Sequence, residues 1–373
     1  MLLDSRISKW AQTIVNYSVE VKPKQKVMIR GSYAAMPLIK EVYREVIKAG
    51  GLPDFRLSES ELSEIFLKEA SNEQIMYVSH PEEWIIENYD AFINIGGENN
   101  LKSLSSVPSE KIKILMQAKK KLNEIYFSRA SKNELKWVIT HYPTNSSAQE
   151  SGMSLNDFED FVISACYLDK ENPTEEWRRV SRMQDKIIDF LKNKKNFRYV
   201  SKDTDLSFSA EGRKWINSDG RHNFPSGEVF TSPVETSING RVRFSFPAIY
   251  SGKEIEDISM EFKNGEIIRA SAKRGDELLQ TVLSVDEGAR RVGEAAIGTN
   301  YGINKFVKNM LFDEKIGGTI HIAIGNGFEE ANGKNKSAIH WDMLCDMKEQ
   351  GEIYGDGELF YKNGKFLIKG VVL

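Results

Sequence analysis

The chain changes its hydrophobic rhythm once, near residue 173, and that change limits the architectures open to it. Before it, short apolar runs alternate with helical patterns. Gln25 to Ser32 (QKVMIRGS) reads as a buried strand. Met36 to Ala49 carries Leu38, Ile39, Val42, Val46 and Ile47 at the three-four spacing of a helix with one buried face. Gly50 and Gly51 end it. PDFRLSE (residues 53–59) predicts the next strand, Ser60 to Ala70 the next helix, and Ala91 to Gly97 another buried strand. Strand, helix and strand in this order imply crossover connections and a mainly parallel sheet.

Pro173 and Thr174 then open a long helix with apolar positions at Trp177, Val180, Met183, Ile187 and Leu191. After it the runs are strand-like: FRYV, DLSFSA, GEVFTSP, RVRFSFPAIY, ISMEF and IIRASA. Asn239-Gly240 and Asn264-Gly265 supply hairpin turns between them. We therefore expect an N-terminal α/β domain over residues 1–183 and an α+β, mostly antiparallel C-terminal domain over residues 184–373. One helix is expected in the second domain, from about Asp286 to Ile297.

Composition narrows the function. A chain of 373 residues buries a large core without cross-links. Its two cysteines, Cys166 and Cys345, lie 179 positions apart (345 - 166), too far for a cysteine-rich zinc module. A formal net charge of -3 argues against a protein built to grip nucleic acid. The N-terminal MLLDSRISKW does not read as a secretory signal, and no run approaches the roughly 18 apolar residues of a membrane span. The expected setting is cytoplasmic, with no nucleic-acid or membrane partner. HExxH, GxSxG and a complete P-loop are all missing.

The chemistry collects near the C-terminus. Of five histidines, His321 and His340 stand 19 residues apart (340 - 321). In GGTIHIAIGNGF, a strand would send Ile320, Ile322 and Ile324 to the core and His321, Ala323 and Gly325 to the opposite face. Two very small neighbours leave space beside the imidazole. In SAIHWDML, His340 and Asp342 would diverge on a helix but share one face of a strand, close enough to chelate one ion. An Asp-His hydrogen bond on a strand surface satisfies that spacing equally well. Glu228 follows the Pro225-Ser226-Gly227 turn as the first residue of a strand. Glu294, in VGEAAIG, is placed at the end of the helical pattern; alone it reads as a surface glutamate.

Four segments, NFPSGEVFTSP, VGEAAIGTN, LFDEKIGGTIHIAIG and NKSAIHWDM, in this order, resemble the thermophilic-aminopeptidase family of metallopeptidases, the aminopeptidase T type. The resemblance covers the second half of the chain, and the alternating first half suits that family's N-terminal α/β domain. It implies a dimeric exopeptidase with a catalytic, metal-binding C-terminal domain. Two divalent ions per chain, zinc, cobalt or manganese, would be held by Glu228, Glu294, His321, His340 and Asp342. Peptide substrates would lose N-terminal residues to a water activated by the metal pair. Glu294 is the expected bridge between the ions, and Glu314, in the FDEK run, is a candidate general base that otherwise reads as a surface charge. The donors are nitrogen and oxygen without thiolate, which suits these metals. Metal-free, three clustered carboxylates are expected to repel and to take up protons. The chain departs from the family at Phe328, where a tyrosine is usual. Two other readings stay open: another two-metal hydrolase such as a phosphoesterase, and a metal- or peptide-binding protein with little catalysis.

Overall fold

The rhythm of the first half folds as a parallel sheet with crossover helices. In the computed structural model, which describes residues 4–250 and 252–372, the strands are β1 (Lys26–Ser32), β2 (Leu52–Ser58), β3 (Ala91–Gly96) and β4 (Lys136–His141). Asn223–Phe224 adds a short fifth, and the order is β2-β1-β3-β4 followed by that strand, all parallel. Helix α1 (Met36–Lys48) links β1 to β2 and buries Leu38, Ile39, Val42 and Val46. Helix α2 (Ser60–Glu69) follows β2. Met28 and Phe92 pack with Ile86, Tyr89, Leu122 and Leu135 in a hydrophobic cluster.

The chain forms two compact units. The first runs to Glu175 and takes in Gly220–Pro225; the second comprises Glu176–Asp219 and the chain from Ser226 onward. The division falls inside α3 (Pro173–Leu191), between Glu175 and Glu176.

Among its described residues the second unit holds two large antiparallel sheets and a two-stranded one, Ala248–Tyr250 with Lys253–Ile255. One has eight strands, drawn from residues between Asn196 and Phe366. The other has five: β5 (Ile216–Ser218), β6 (Glu228–Thr231), β7 (Val292–Gly298), β8 (Thr319–Gly325) and β9 (His340–Asp346), in the order β9-β8-β7-β6-β5. Ile320, Ile322 and Ile324 of β8, with Trp341 and Met343 of β9, join one core with Phe197, Leu206, Val242 and Met260 of the larger sheet. The core face of β8 and β9 is the one their alternation predicts.

One expected element is replaced. The helix expected from Asp286 to Ile297 is absent there; a helix spans Asp276–Leu283, a 3-10 turn spans Glu287–Arg290, and 292–298 is strand β7. Every residue of β7 is buried. A short segment buried on both faces carries no strand alternation, so the helical preference of Glu and Ala dominates its sequence pattern, and pairing on both sides overrides that preference. A bulge lies between Val292 and Glu294. At Gly293 a Cβ would meet the Asn326 carbonyl oxygen at 2.2 Å, so the bulge admits no side chain.

Ile322 lies at the centre of this core, 1 % exposed. Ile322→Ala should destabilise the second unit by about 2–5 kcal/mol, read as a lowered denaturant midpoint; a change under about 0.5 kcal/mol, typical of surface positions, would contradict the packing described.

Candidate metal centre

The face of the five-stranded sheet opposite the core gathers all five sequence candidates. Pairing places Gly298 beside Glu228, Ala296 beside His321, and Ala323 beside both Glu294 and Asp342. Glu294 and Asp342 thus flank the small Ala323 from neighbouring strands, and His321 lies two residues along the same face. Strand geometry brings these side chains together from four strands. The correction to Glu294 matters here, since it projects from mid-strand rather than from a helix end.

The distances describe two groups sharing one carboxylate. His321 Nε2 is 3.3 Å from Glu228 Oε2 and 3.6 Å from Glu294 Oε1. His340 Nε2 is 3.1 Å from Glu294 Oε2 and 3.5 Å from Asp342 Oδ1. Glu228, Glu294 and His321 form one potential ligand triad, and Glu294, His340 and Asp342 the other. His340 Nδ1 lies 2.8 Å from the Asn326 carbonyl oxygen, which accepts its proton and leaves Nε2 facing the carboxylates.

The residues fit divalent cations. Glu228 Oε2 and Asp342 Oδ1 are buried without a hydrogen-bond partner, although both face imidazole nitrogens. Buried lone pairs left this way are costly unless a cation takes them. The donors are carboxylate oxygen and imidazole nitrogen, as zinc, manganese or cobalt require.

Two further charged residues adjoin the group. Lys315 is buried, 1 % exposed, with Nζ 2.5 Å from Glu228 Oε1 and also bonded to Glu314. It holds one Glu228 oxygen and leaves the other toward His321. Nothing in the sequence singled Lys315 out; FDEK reads as a charge run, and a buried lysine shows itself only once its partners are in place. Glu314 is not the surface charge expected: its side chain is only 15 % exposed. Asp313 accepts from the backbone N–H groups of Val307 and Asn309 and is structural. Phe328 packs its ring against His340, centroids 4.9 Å apart, and against Phe230 at 5.1 Å.

Without metal, the two histidines hold protons and Glu294 stays ionised. Burial opposes charging His321, but its bond to Glu294 and the charges of Glu228 and Glu294 overcome this and push it up to about 9. Burial likewise opposes charging His340, but Asp342 and Glu294 push it up to about 12. Burial would raise Glu294, yet the two imidazoles bring it down to about 2. Burial raises Asp313 to about 8 and Glu314 to about 7, the latter against the pull of Lys315. Lys315 itself is raised, since Glu228 and Glu314 outweigh its burial.

A two-unit chain with carboxylate-imidazole triads on a floor of small residues belongs among the metal-dependent hydrolases. The chain matches the thermophilic metalloprotease (M29) family over residues 3–366 and is a member of it. It is 25 % identical over 381 residues to aminopeptidase 2 of Geobacillus stearothermophilus, covering 91 % of this chain and 92 % of that one. It is 28 % identical over 287 residues to aminopeptidase T of Thermus aquaticus, covering 67 % and 69 %. The solved structure of wild-type AmpT from Thermus thermophilus shares the fold, with a TM-score of 0.86 at 21 % identity over 98 % of this chain and 99 % of that one.

The protonation pattern has a direct consequence. A histidine whose folded pKa exceeds its ordinary 6.5 adds stability that is complete below about 6.5 and lost as pH rises through its folded value, about 9 for His321. The raised Glu314 and Asp313 act with the same sign, losing their contribution as pH rises through about 7 and about 8. The melting temperature of metal-stripped protein should therefore fall between pH 6.5 and 9. A melting temperature that rises across this window would contradict the charge arrangement.

Proposed function

We propose that this chain, a metal-dependent aminopeptidase, removes N-terminal residues from short peptides with two divalent ions held by Glu228, Glu294, His321, His340 and Asp342. The observation that carries this reading is the sharing of Glu294: its two oxygens face two different histidines. A carboxylate so placed would help to hold both ions, which we take to be zinc, cobalt or manganese. Such ions, when bound, supply Lewis acidity that makes water a nucleophile at neutral pH and polarises a scissile carbonyl.

The chain's own residues do the rest. Asn326 orients His340 through Nδ1, so its Nε2 is presented without rotational search. Lys315 restrains Glu228 to one free oxygen. Glu314, with a carboxyl pushed up to about 7, is our candidate general base, because it can hold or release a proton at neutral pH. Phe328 keeps a ring against His340 where the sequence resemblance expects a tyrosine. The exopeptidase direction rests on the family and on relatives named aminopeptidase. We read the working form as a cytoplasmic homodimer. Among the described residues no helix is long and apolar enough to cross a membrane.

Chelation should abolish hydrolysis of unblocked aminoacyl chromogenic substrates, and N-acetylated substrates and phosphate esters should be inert. His340→Ala and Asp342→Ala should each abolish turnover and lower bound metal below two ions per chain. His80→Ala, at an exposed site in the first unit, should leave both unchanged. Fewer than one ion per chain in metal-loaded wild type, or preferential cleavage of phosphate esters, would end the two-metal aminopeptidase reading.

Phe328 allows a separate test. Its ring is already held between His340 and Phe230, so its packing role does not need the hydroxyl. A well-placed oxyanion donor is worth about 2.7–4 kcal/mol. We expect Phe328→Tyr to change turnover by less than about tenfold, or about 1.4 kcal/mol. A gain of about a hundredfold (about 2.7 kcal/mol) at unchanged metal content would show that the site lacks a donor it once used.

A further inference from the structure

Helix α3 buries Trp177, Val180, Met183, Ile187 and Leu191, and one polar side chain intrudes among them. Gln184 is 0 % exposed. Its Nε2 donates to two backbone carbonyls, that of Glu228 and, at 3.2 Å, that of Ser218. Its Oε1 is buried without a hydrogen-bond partner. A buried amide satisfied on one side only is less favourable than an apolar side chain of the same size. Packing alone would place methionine or leucine here, so the reason for glutamine lies in what its Nε2 holds.

The two carbonyls mark a fork in the chain. Ser218 closes β5, Glu228 opens β6, and their pairing is the last of the ladder between those strands. Beyond Asp219 the chain leaves the second unit, runs through Gly220–Pro225 in the first, and returns at Ser226. The turn at the return is fixed locally. The Ser218 carbonyl accepts from the Gly227 N–H at 3.1 Å and from the Ser226 hydroxyl at 2.8 Å, and Asn300 Nδ2 donates to the Ser226 carbonyl at 2.8 Å. Gln184 adds a bond from the helix to the main chain of Glu228 itself.

Glu228 needs such a hold more than the other members of its triad do. Glu294 and His321 project from within β7 and β8, each with a paired strand on either side. Glu228 stands at the first position of its strand, two residues past the return from the first unit. Lys315 fixes one oxygen of its carboxylate at 2.5 Å, which sets the outer end of the side chain but not the backbone that carries it. Both ends have to be set, because a displacement of about 1 Å is enough to loosen a site.

We propose that Gln184 is a positioning residue for the metal centre: it sets the main chain of Glu228, and through it the triad of Glu228, Glu294 and His321, without bearing on His340 and Asp342. The proposal rests on the two-ion reading of the centre, and its test reads metal affinity rather than activity. Gln184→Met keeps the length of the side chain and removes both donors. In zinc titrations of the full chain against a competing chelator, wild type should bind two ions. The variant should hold one ion at near wild-type affinity and the other about 10–100-fold more weakly, the loss typical when a group that orients a ligand is removed. Gln184→Asn, whose amide ends one methylene short, carries the same expectation and serves where Gln184→Met does not fold. Asn217→Ala is the control. Asn217 Nδ2 ties β5 to the same helix, through the Ser181 carbonyl at 3.0 Å and the Asp185 carboxylate at 2.7 Å, and does not touch Glu228. Its loss should leave both zinc affinities unchanged. Unchanged affinities in the Gln184 variants, equal weakening of both ions, or the same selective loss in Asn217→Ala would overturn the proposal and leave the two-ion reading intact. A wild type that binds fewer than two ions would defeat that reading, and this proposal with it.

Discussion

Three carboxylates share one face of a sheet whose other face is the main hydrophobic core of the second unit, and much of that unit serves to keep them there. Glu228, Glu294 and Asp342 are 4 %, 3 % and 8 % exposed. Removing such charges from water costs several kcal/mol each unless cations meet them. They stand on three strands, so their spacing follows the sheet rather than side-chain flexibility. The sheet cannot part to relieve their repulsion, because Ile320, Ile322, Ile324, Trp341 and Met343 lock its back into a single core. Relief has to come from positive charge. Lys315 supplies one fixed cation, and two protonated imidazoles supply the remainder when metal is absent.

Most of this centre is legible in the sequence because strand geometry is a simple code. His321 with Ile320, Ile322 and Ile324, and His340 with Asp342, declare their faces through a period of two, and β8 and β9 adopt those faces. Glu228 is legible through its turn. Glu294 is legible as a residue type but not as a strand residue, since β7 is buried throughout and its run of small residues carries no alternation. Lys315 and Glu314 are illegible for a different reason. Their burial is a property of partners distant in sequence: Glu228 lies 87 positions from Lys315. No local pattern encodes such a pair.

The first unit shows the same division between local and non-local information. Strands β1, β2 and β3 and helices α1 and α2 follow from local sequence patterns and from the glycines after α1. The order of those strands does not. That β2 lies at the edge, and that Phe55 and Ile47 face outward beside each other, depends on which strands pair. An apolar strand reads alike whether it is central or at an edge; only its neighbours distinguish the two.

The floor beneath the carboxylates separates two uses of small residues. At Gly325, where φ is 98°, an added Cβ would lie 2.2 Å from the Ile339 carbonyl oxygen, so the backbone itself forbids a side chain. Glycine there answers to the turn between β8 and the loop to β9. Ala296 and Ala323 are different. They carry a Cβ already, lie in regular pairing, and stand beside His321 and between Glu294 and Asp342 respectively. Nothing in the backbone limits them to alanine, and β-branched residues pack better on a pleated surface. A larger side chain at either position would occupy the space onto which the carboxylates and imidazoles converge. The sheet therefore gives up packing on this face while filling the other with isoleucine, tryptophan and methionine. That asymmetry belongs to a surface shaped to hold something between its charged groups, and a sheet built only for stability would have no use for it.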